Sequence, residues 1–464
     1  MNSFRLQNIK KAFAIVNGFF YDICYPLAVA AWAFFCFCLN IQWACIFPFV
    51  IIACFLLITQ EDISPVIPLF SAFIISVKHY SQLTSVPYLI LYAVLVGCFI
   101  LHFIKFPVKS FLLGKLFFPF FLISAALFLG GLLSSYILNY FNGLPQIIAL
   151  GPALCAVYLL FLNGVNPPER FNLKTYVSFT VIFTTVFACF EVILFYYTTS
   201  HHYFTINRSL GWGNFNTVGA MTLISVPLCC YLIVKTGKSI PFFVVIIFFL
   251  IVDVVCASDG STGILAFSIP FLVIATFCKL NKKDRKEFML CLFFVAFTIC
   301  AAAVFYGFTK GFDEILAFAT KRTATNGRFN LYERAVKLFR ENPVLGVGQG
   351  YFDESVYGPS ITFNFHSTFF HVIATMGCFG IIAYSVYYVY RFRVIMSGKT
   401  TFSFFVYLSF ILFEAYGLID MCEFNFIPLT SYITLLILLV ERDETVKGES
   451  DSLPLYYIQR FSLY

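Results

Sequence analysis

Charge is what this 464-residue sequence has least of: 11% of its residues are charged, against 60% hydrophobic and 20% aromatic. A soluble domain carries about a quarter charged residues, so a water-soluble globule is excluded. Alternating segments of about ten residues, the mark of a transmembrane barrel, are also absent. Metal-ligand spacing is missing, with no Asp-x-Asp and no His/Cys cluster in the stretches outside the apolar runs. The 16 cysteines lie within or at the edges of those runs and show no disulfide frame, so they read as small core residues. There is no internal repeat and no low-complexity tract. The net charge of +7 sits mostly in short loops and makes no case for nucleic acid.

What is present is a series of apolar runs of roughly 17 to 25 residues, the length that crosses a bilayer core as helix. About 14 spans are expected, centred on residues 26–39, 41–59, 65–77, 86–104, 115–137, 146–163 and 175–198 in the first half. The second half contributes 215–234, 240–257, 261–278, 288–309, 366–390, 401–417 and 424–440. The fold class is therefore an all-α polytopic membrane protein with about 12–14 transmembrane helices and one long, partly helical extracytoplasmic loop. The start "MNSFRLQNIKK" before an apolar run imitates a secretory signal, but further spans follow, so it reads as an uncleaved first anchor.

Basic residues of short loops stay on the cytoplasmic side. Lys10, Lys11, Lys105, Lys109, Lys115, Arg170, Lys174, Lys235 and Lys238 share one side. So do Lys279, Lys282, Lys283, Arg285, Lys286, Arg391, Arg393 and Lys399, which puts both termini inside. Only the acidic "QEDIS" loop (60–64) is out of pattern. The expected organisation is a transmembrane bundle over 1–309, an extracytoplasmic loop over 310–365, further transmembrane helices over 366–440 and a cytoplasmic tail over 441–464.

Three outer stretches stand apart: "TTSHHYFTINRSLGWGNFNTVGA", the turn "SDGST" and the 310–365 loop. A connection as long as the last is uncommon without a function. Within it Phe329, Tyr332, Ala335, Val336 and Phe339 recur at helical spacing, with Asn326 as N-cap and Pro343 as stop. Arg328 falls inside that apolar stripe, whereas Arg334, Lys337 and Arg340 lie outside it and read as a solvated or headgroup-facing side. A buried arginine needs an anionic partner. In the first helical turn the backbone itself favours anions over cations. Either an internal acid such as Asp353 or Glu354 answers Arg328, or an external anion does.

The stretch "GRFNLYERAVKLFRENPVLGVGQGYF…FHSTFFHVIATMGCFG" resembles the signature region of the bacterial O-antigen ligase/polymerase family. It has the arginine-bearing loop, Pro-x-x-Gly-x-Gly, a histidine opening a span, and Gly-x-x-Gly. The upstream "NRSLGWGNFNTVGA" is similar to that family's Arg…Gly…Asn stretch, and "SDGSTGILAF" to its Ser-Arg-Gly turn. Ser367 stands where asparagine is usual, and Thr262 where arginine is common. The resemblance implies a metal-independent membrane glycosyltransferase without a cofactor. Its donor would be a polyprenyl-diphosphate-linked oligosaccharide, and its acceptor another carrier-linked unit or lipid A core. It further implies Arg208, Arg322 and Arg328 on the diphosphate, and His366 with Arg328 in the chemistry. Asn216, Gly346, Gly348 and Ser367 take supporting places. The Phe-rich spans lean toward a polymerase of repeat units, with the ligase as the alternative. The site would face outward from the bacterial inner membrane.

Arginine suits a diphosphate because it is permanently charged and grips bidentately. Histidine suits an acceptor hydroxyl because it titrates near neutrality. His371 reads as structural, and His201 and His202 as exposed loop residues. Asp259, Glu414, Asp420 and Glu423 lie near the outer boundary, where an ionisable group is a functional candidate by default. Glu414 is read as a salt-bridge partner for one of the arginines, or else as a base. A secondary transporter, the rival class, would show repeats or polar breaks near the midplane.

Overall fold

A computed structural model describes residues 18–77, 85–108, 110–169, 171–199, 210, 212–255, 259–310, 328–351, 365–424 and 426–452. Every regular element among them is a helix. In chain order these are α1 (Cys24–Leu39), α2 (Gln42–Thr59), α3 (Val66–Ala72), α4 (Val86–Lys105) and α5 (Phe117–Leu129). A composite helix α6 (Ile137–Gly164) follows, then α7 (Leu173–Thr199), α8 (Phe215–Thr236), α9 (Ile240–Val255), α10 (Asp259–Lys279) and α11 (Arg285–Lys310). The last four are α12 (Arg328–Glu341), α13 (Thr368–Ser397), α14 (Thr401–Gly417) and α15 (Ser431–Ser452). All but α12 fall on the expected apolar runs. Among the described residues seven helices are long and apolar enough to cross a membrane: α2, α4, α6, α7, α8, α10 and α13. The chain is an all-α, multi-pass membrane protein.

Several boundaries depart from expectation. The run 115–137 does not stay helical, because Gly131 turns to φ +83° and its N–H bonds the Leu345 carbonyl at 3.0 Å. The third run is only a short helix followed by a 3-10 turn, Ile74–Ser76. In α6 a π-turn over Ala149–Ala153 absorbs Pro152, whose ring removes a ladder donor. The final helix runs past 440 to Ser452, so the segment expected as a tail from 441 begins as helix.

The bundle is organised around α8, of whose span 94% is buried. Its Gly219, Ala220, Thr222, Ser225, Cys229 and Cys230 are small, which lets neighbours approach closely, as small residues do in membranes. Helices α7, α9, α10 and α14 surround it. The Ser409 hydroxyl donates to the Ile224 carbonyl at 2.8 Å, and Thr185 and Ser225 share a hydrogen bond at 2.8 Å. Such bonds replace the water that a bilayer cannot supply.

The loops sort into two ends. At one, the Asn166 amide donates to Asp62, Lys105 donates to the Ile58 carbonyl, and Arg442 donates to the Leu162 carbonyl. Lys174 pairs with Asp443 there. This accounts for the acidic loop that broke the charge pattern: Asp62 lies within the field of Arg442, among the basic loops it seemed to contradict. At the other end lie the residues described next.

Candidate functional site

Helix α12 buries Ala335 and Leu338 and half-buries Leu331. With Arg328 these occupy positions i, i+3, i+7 and i+10, one face of a helix. Arg328 therefore stands on the packed face, as expected, although the stripe differs: Phe329 is exposed and Val336 and Phe339 lie at its margin. Lys337 and Arg340 are exposed. Arg334 is not part of that solvated side. It is half-buried and donates to the Tyr351 hydroxyl at 2.9 Å, bracing α12 against the glycine-rich loop.

That loop explains the Pro-x-x-Gly-x-Gly spacing. Helix α13 is broken at Gly377, where φ is +62°. The break opens backbone groups that a bilayer would leave unpaired at a cost of several kcal/mol each. The loop supplies their partners. Val347 and Gly348 donate to the Ala374 and Thr375 carbonyls at 2.8 and 2.9 Å, while Cys378 and Phe379 donate to the Pro343 and Val344 carbonyls at 2.8 and 3.2 Å. Gly346, at φ +63°, lies so close that a Cβ would sit 2.4 Å from the Thr375 carbonyl carbon. Gly346 and Gly348 thus act on backbone packing, at a remove from His366. Gln349 completes the joint, accepting from His371 at 2.8 Å and donating to Thr375 at 3.0 Å, which makes His371 a buried structural residue.

His366 sits just before α13 with a left-handed backbone, φ +47°, uncommon for a residue other than glycine. The Tyr332 hydroxyl donates to its carbonyl at 3.2 Å, and the Tyr332 ring stacks on Phe370 at 4.3 Å. Its Nδ1 lies 3.5 Å from Asp420 Oδ1. Asp420 Oδ2 accepts from Asn216 Nδ2 at 2.8 Å, and Asp420 Oδ1 accepts the Met421 amide at 2.8 Å. One residue earlier, the Ile419 carbonyl accepts Arg328 Nη1 at 2.6 Å. The turn after α14 therefore gathers three residues singled out from the sequence: Arg328, His366 and Asn216. Burial pushes the Asp420 carboxyl up. The hydrogen bond and charge of His366, the Met421 amide and the charge of Arg328 outweigh it and hold the group below its ordinary value.

Ser367 is buried at the N-cap of α13, and its side chain makes no capping bond. Arg208, Arg322, Asn326, Asp353, Glu354, His201 and His202 lie outside the described residues, as does the Asp259 side chain. The Thr262 hydroxyl donates to the Asp253 carbonyl at 2.8 Å. Among the described residues no group of three or more His, Cys, Asp or Glu is placed to hold a metal ion.

Two features escaped the sequence reading. Asp420 was one of several boundary acids, and nothing in its neighbourhood distinguished it. Arg391 was assigned to a cytoplasmic loop, yet it is fully buried within α13, where Glu423 and Glu414 both bind it. Glu414 does partner an arginine, but this one.

Fold and site define a multi-pass membrane protein with a polar cluster at one end of its bundle. Residues 246–385 match the family model described as O-Antigen ligase. The matched segment includes α12, the glycine-rich loop and His366, while Asn216 and Asp420 reach the same place from outside it. The match supports a membrane glycosyltransferase-like role in polysaccharide or lipopolysaccharide assembly. No curated protein matches the chain.

Proposed function

We propose that the chain transfers glycan from a polyprenyl-diphosphate carrier to an acceptor sugar hydroxyl on the outer face of the inner membrane, extending surface-polysaccharide repeat units. The observation that carries this reading is the convergence of Arg328 and His366 on the turn of Asp420. A sugar diphosphate already holds a good leaving group, so the protein has two tasks. It must grip the diphosphate as charge grows there, and it must take the proton of the incoming hydroxyl.

Arg328 suits the first task. One Nη is tied to the Ile419 carbonyl, which fixes the plane of a fork that has five donors in all. Arg208 and Arg322 are assigned to the same diphosphate by resemblance. His366 suits the second: with Nδ1 turned toward Asp420, the imidazole presents Nε2 to the acceptor. The acceptor oxygen bonds to the anomeric carbon, the carbon–oxygen bond to the diphosphate breaks, and the diphosphate leaves on its carrier. The hydroxyl proton passes to His366, whose cationic form Asp420 stabilises, as the aspartate of a Ser-His-Asp triad does for its histidine. Charge is managed by side chains alone, so the reaction is assigned no metal.

The O-Antigen ligase description of the matched model favours a second acceptor, lipid A core. The two are separated by giving purified protein carrier-linked repeat units alone. A ladder of lengthening chains supports polymerisation. Product only after lipid A core is added assigns the ligase, and no transfer with either acceptor refutes the reading.

A further inference from the structure

The turn that organises the site has little regular structure of its own. Leu418–Met421 is a turn and Cys422–Phe424 a short 3-10 element, and α15 begins only at Ser431. Yet it must hold an Ile419 carbonyl for Arg328 and an Asp420 carboxylate for His366 and Asn216 at once. Backbone bonds to Glu414 and Tyr416 fix its start, and the Thr430 hydroxyl donates to the Glu423 carbonyl at 3.0 Å.

The stronger anchor is ionic. Glu414 precedes Asp420 by six residues and Glu423 follows it by three, and both carboxylates bind the single guanidinium of Arg391. Arg391 has no exposed surface, lies 4.6 Å from the Tyr387 ring centre and 4.7 Å from that of Phe410, and belongs to the helix that begins beside His366. The cluster thus ties both flanks of the turn to the part of α13 that follows its break at Gly377. It also reaches toward the site: a Cβ on Gly417 would stand 3.3 Å from Thr368 Oγ1 and 3.9 Å from Glu414 Oε2, and Thr368 itself donates to the Asp420 carbonyl at 3.4 Å.

A buried ion cluster is a poor stabiliser, because desolvation consumes most of its attraction. What two carboxylates meeting one Nη1 do supply is a shared fixed point for both flanks of the turn. We infer that Arg391, Glu414 and Glu423 are positioning residues for glycosyl transfer, acting on His366 and Arg328 through the Ile419–Asp420 turn. This rests on the proposed reading of the site.

A double-mutant cycle tests it, with single-turnover transfer as the readout and thermal unfolding in detergent as the check on folding. Glu423→Gln should lower turnover about tenfold in the wild-type background and by clearly less in Asp420→Asn, because interacting residues are non-additive. Should Glu423→Gln not accumulate as folded protein, Glu414→Gln, which removes the other carboxylate on the same Nη1, enters the same cycle with the same expectation. Equal losses in both backgrounds, or none in either, overturn the inference and leave the cluster a packing feature. Wild-type turnover in Asp420→Asn alone overturns the site reading instead.

Discussion

At the scale of single residues, Arg328 and Asp420 carry opposite burdens. Arg328→Lys keeps a positive charge but loses the fork that grips a diphosphate bidentately. Removing one such preorganised donor costs about 3 kcal/mol, so turnover should fall on the order of a hundredfold. Steady-state transfer in nanodiscs reads this, and wild-type turnover in the lysine variant would assign Arg328 to structure alone. Asp420 is held below the ordinary carboxylate value by His366 and Arg328. A lowered carboxyl contributes stability that is fully present above about pH 4 and is lost as pH falls through its folded value. Thermal unfolding should therefore show no Asp420 titration near neutrality, and Asp420→Asn should flatten the acid limb of the stability profile below about pH 4. Arg328 was legible because its sequence position, inside an apolar stripe, was anomalous. Asp420 was not: it lies 54 residues beyond His366, and only the fold brings the two within 3.5 Å.

At the scale of elements, hydropathy is a local property, so each apolar run was legible as a helix without knowledge of its neighbours. The breaks were not. Gly131 and Gly377 each leave helix to meet a loop from elsewhere in the chain, and a glycine announces freedom without naming what approaches it. The same limit hid Arg391, whose company of Arg393 and Lys399 looked like a cytoplasmic loop until the helix turned it inward. The joint between the glycine-rich loop and α13 makes a sharp expectation. Gly346→Ala places a Cβ in contact with the Thr375 backbone in a left-handed conformation, which costs about 1–3 kcal/mol from the conformation alone. The unfolding midpoint in detergent should drop and transfer should fall with it. An unchanged midpoint would mean the loop does not dock as described.

At the scale of the whole molecule, Lys105, Lys174 and Arg442 gather at one end of the bundle together with the acidic loop of Asp62. The 246–385 match and the apolar helices place the chain in a membrane; the outward orientation of the site is our assignment. Lys337 stands 69% exposed on α12 and suits a test. Lys337→Cys should react with an impermeant thiol reagent in intact spheroplasts, above the background of the native cysteines. Labelling only after lysis would invert the topology and with it the access of an outer-leaflet donor.

The division of labour between His366 and the arginines is the central claim, and one measurement reaches it directly: carrier-linked donor binding and transfer, read side by side, for His366→Ala in nanodiscs. A general base contributes about 10²–10⁴-fold. The account predicts that transfer falls by that order while donor affinity stays close to wild type, because the diphosphate is held by arginine. Transfer at the wild-type rate in His366→Ala would contradict it.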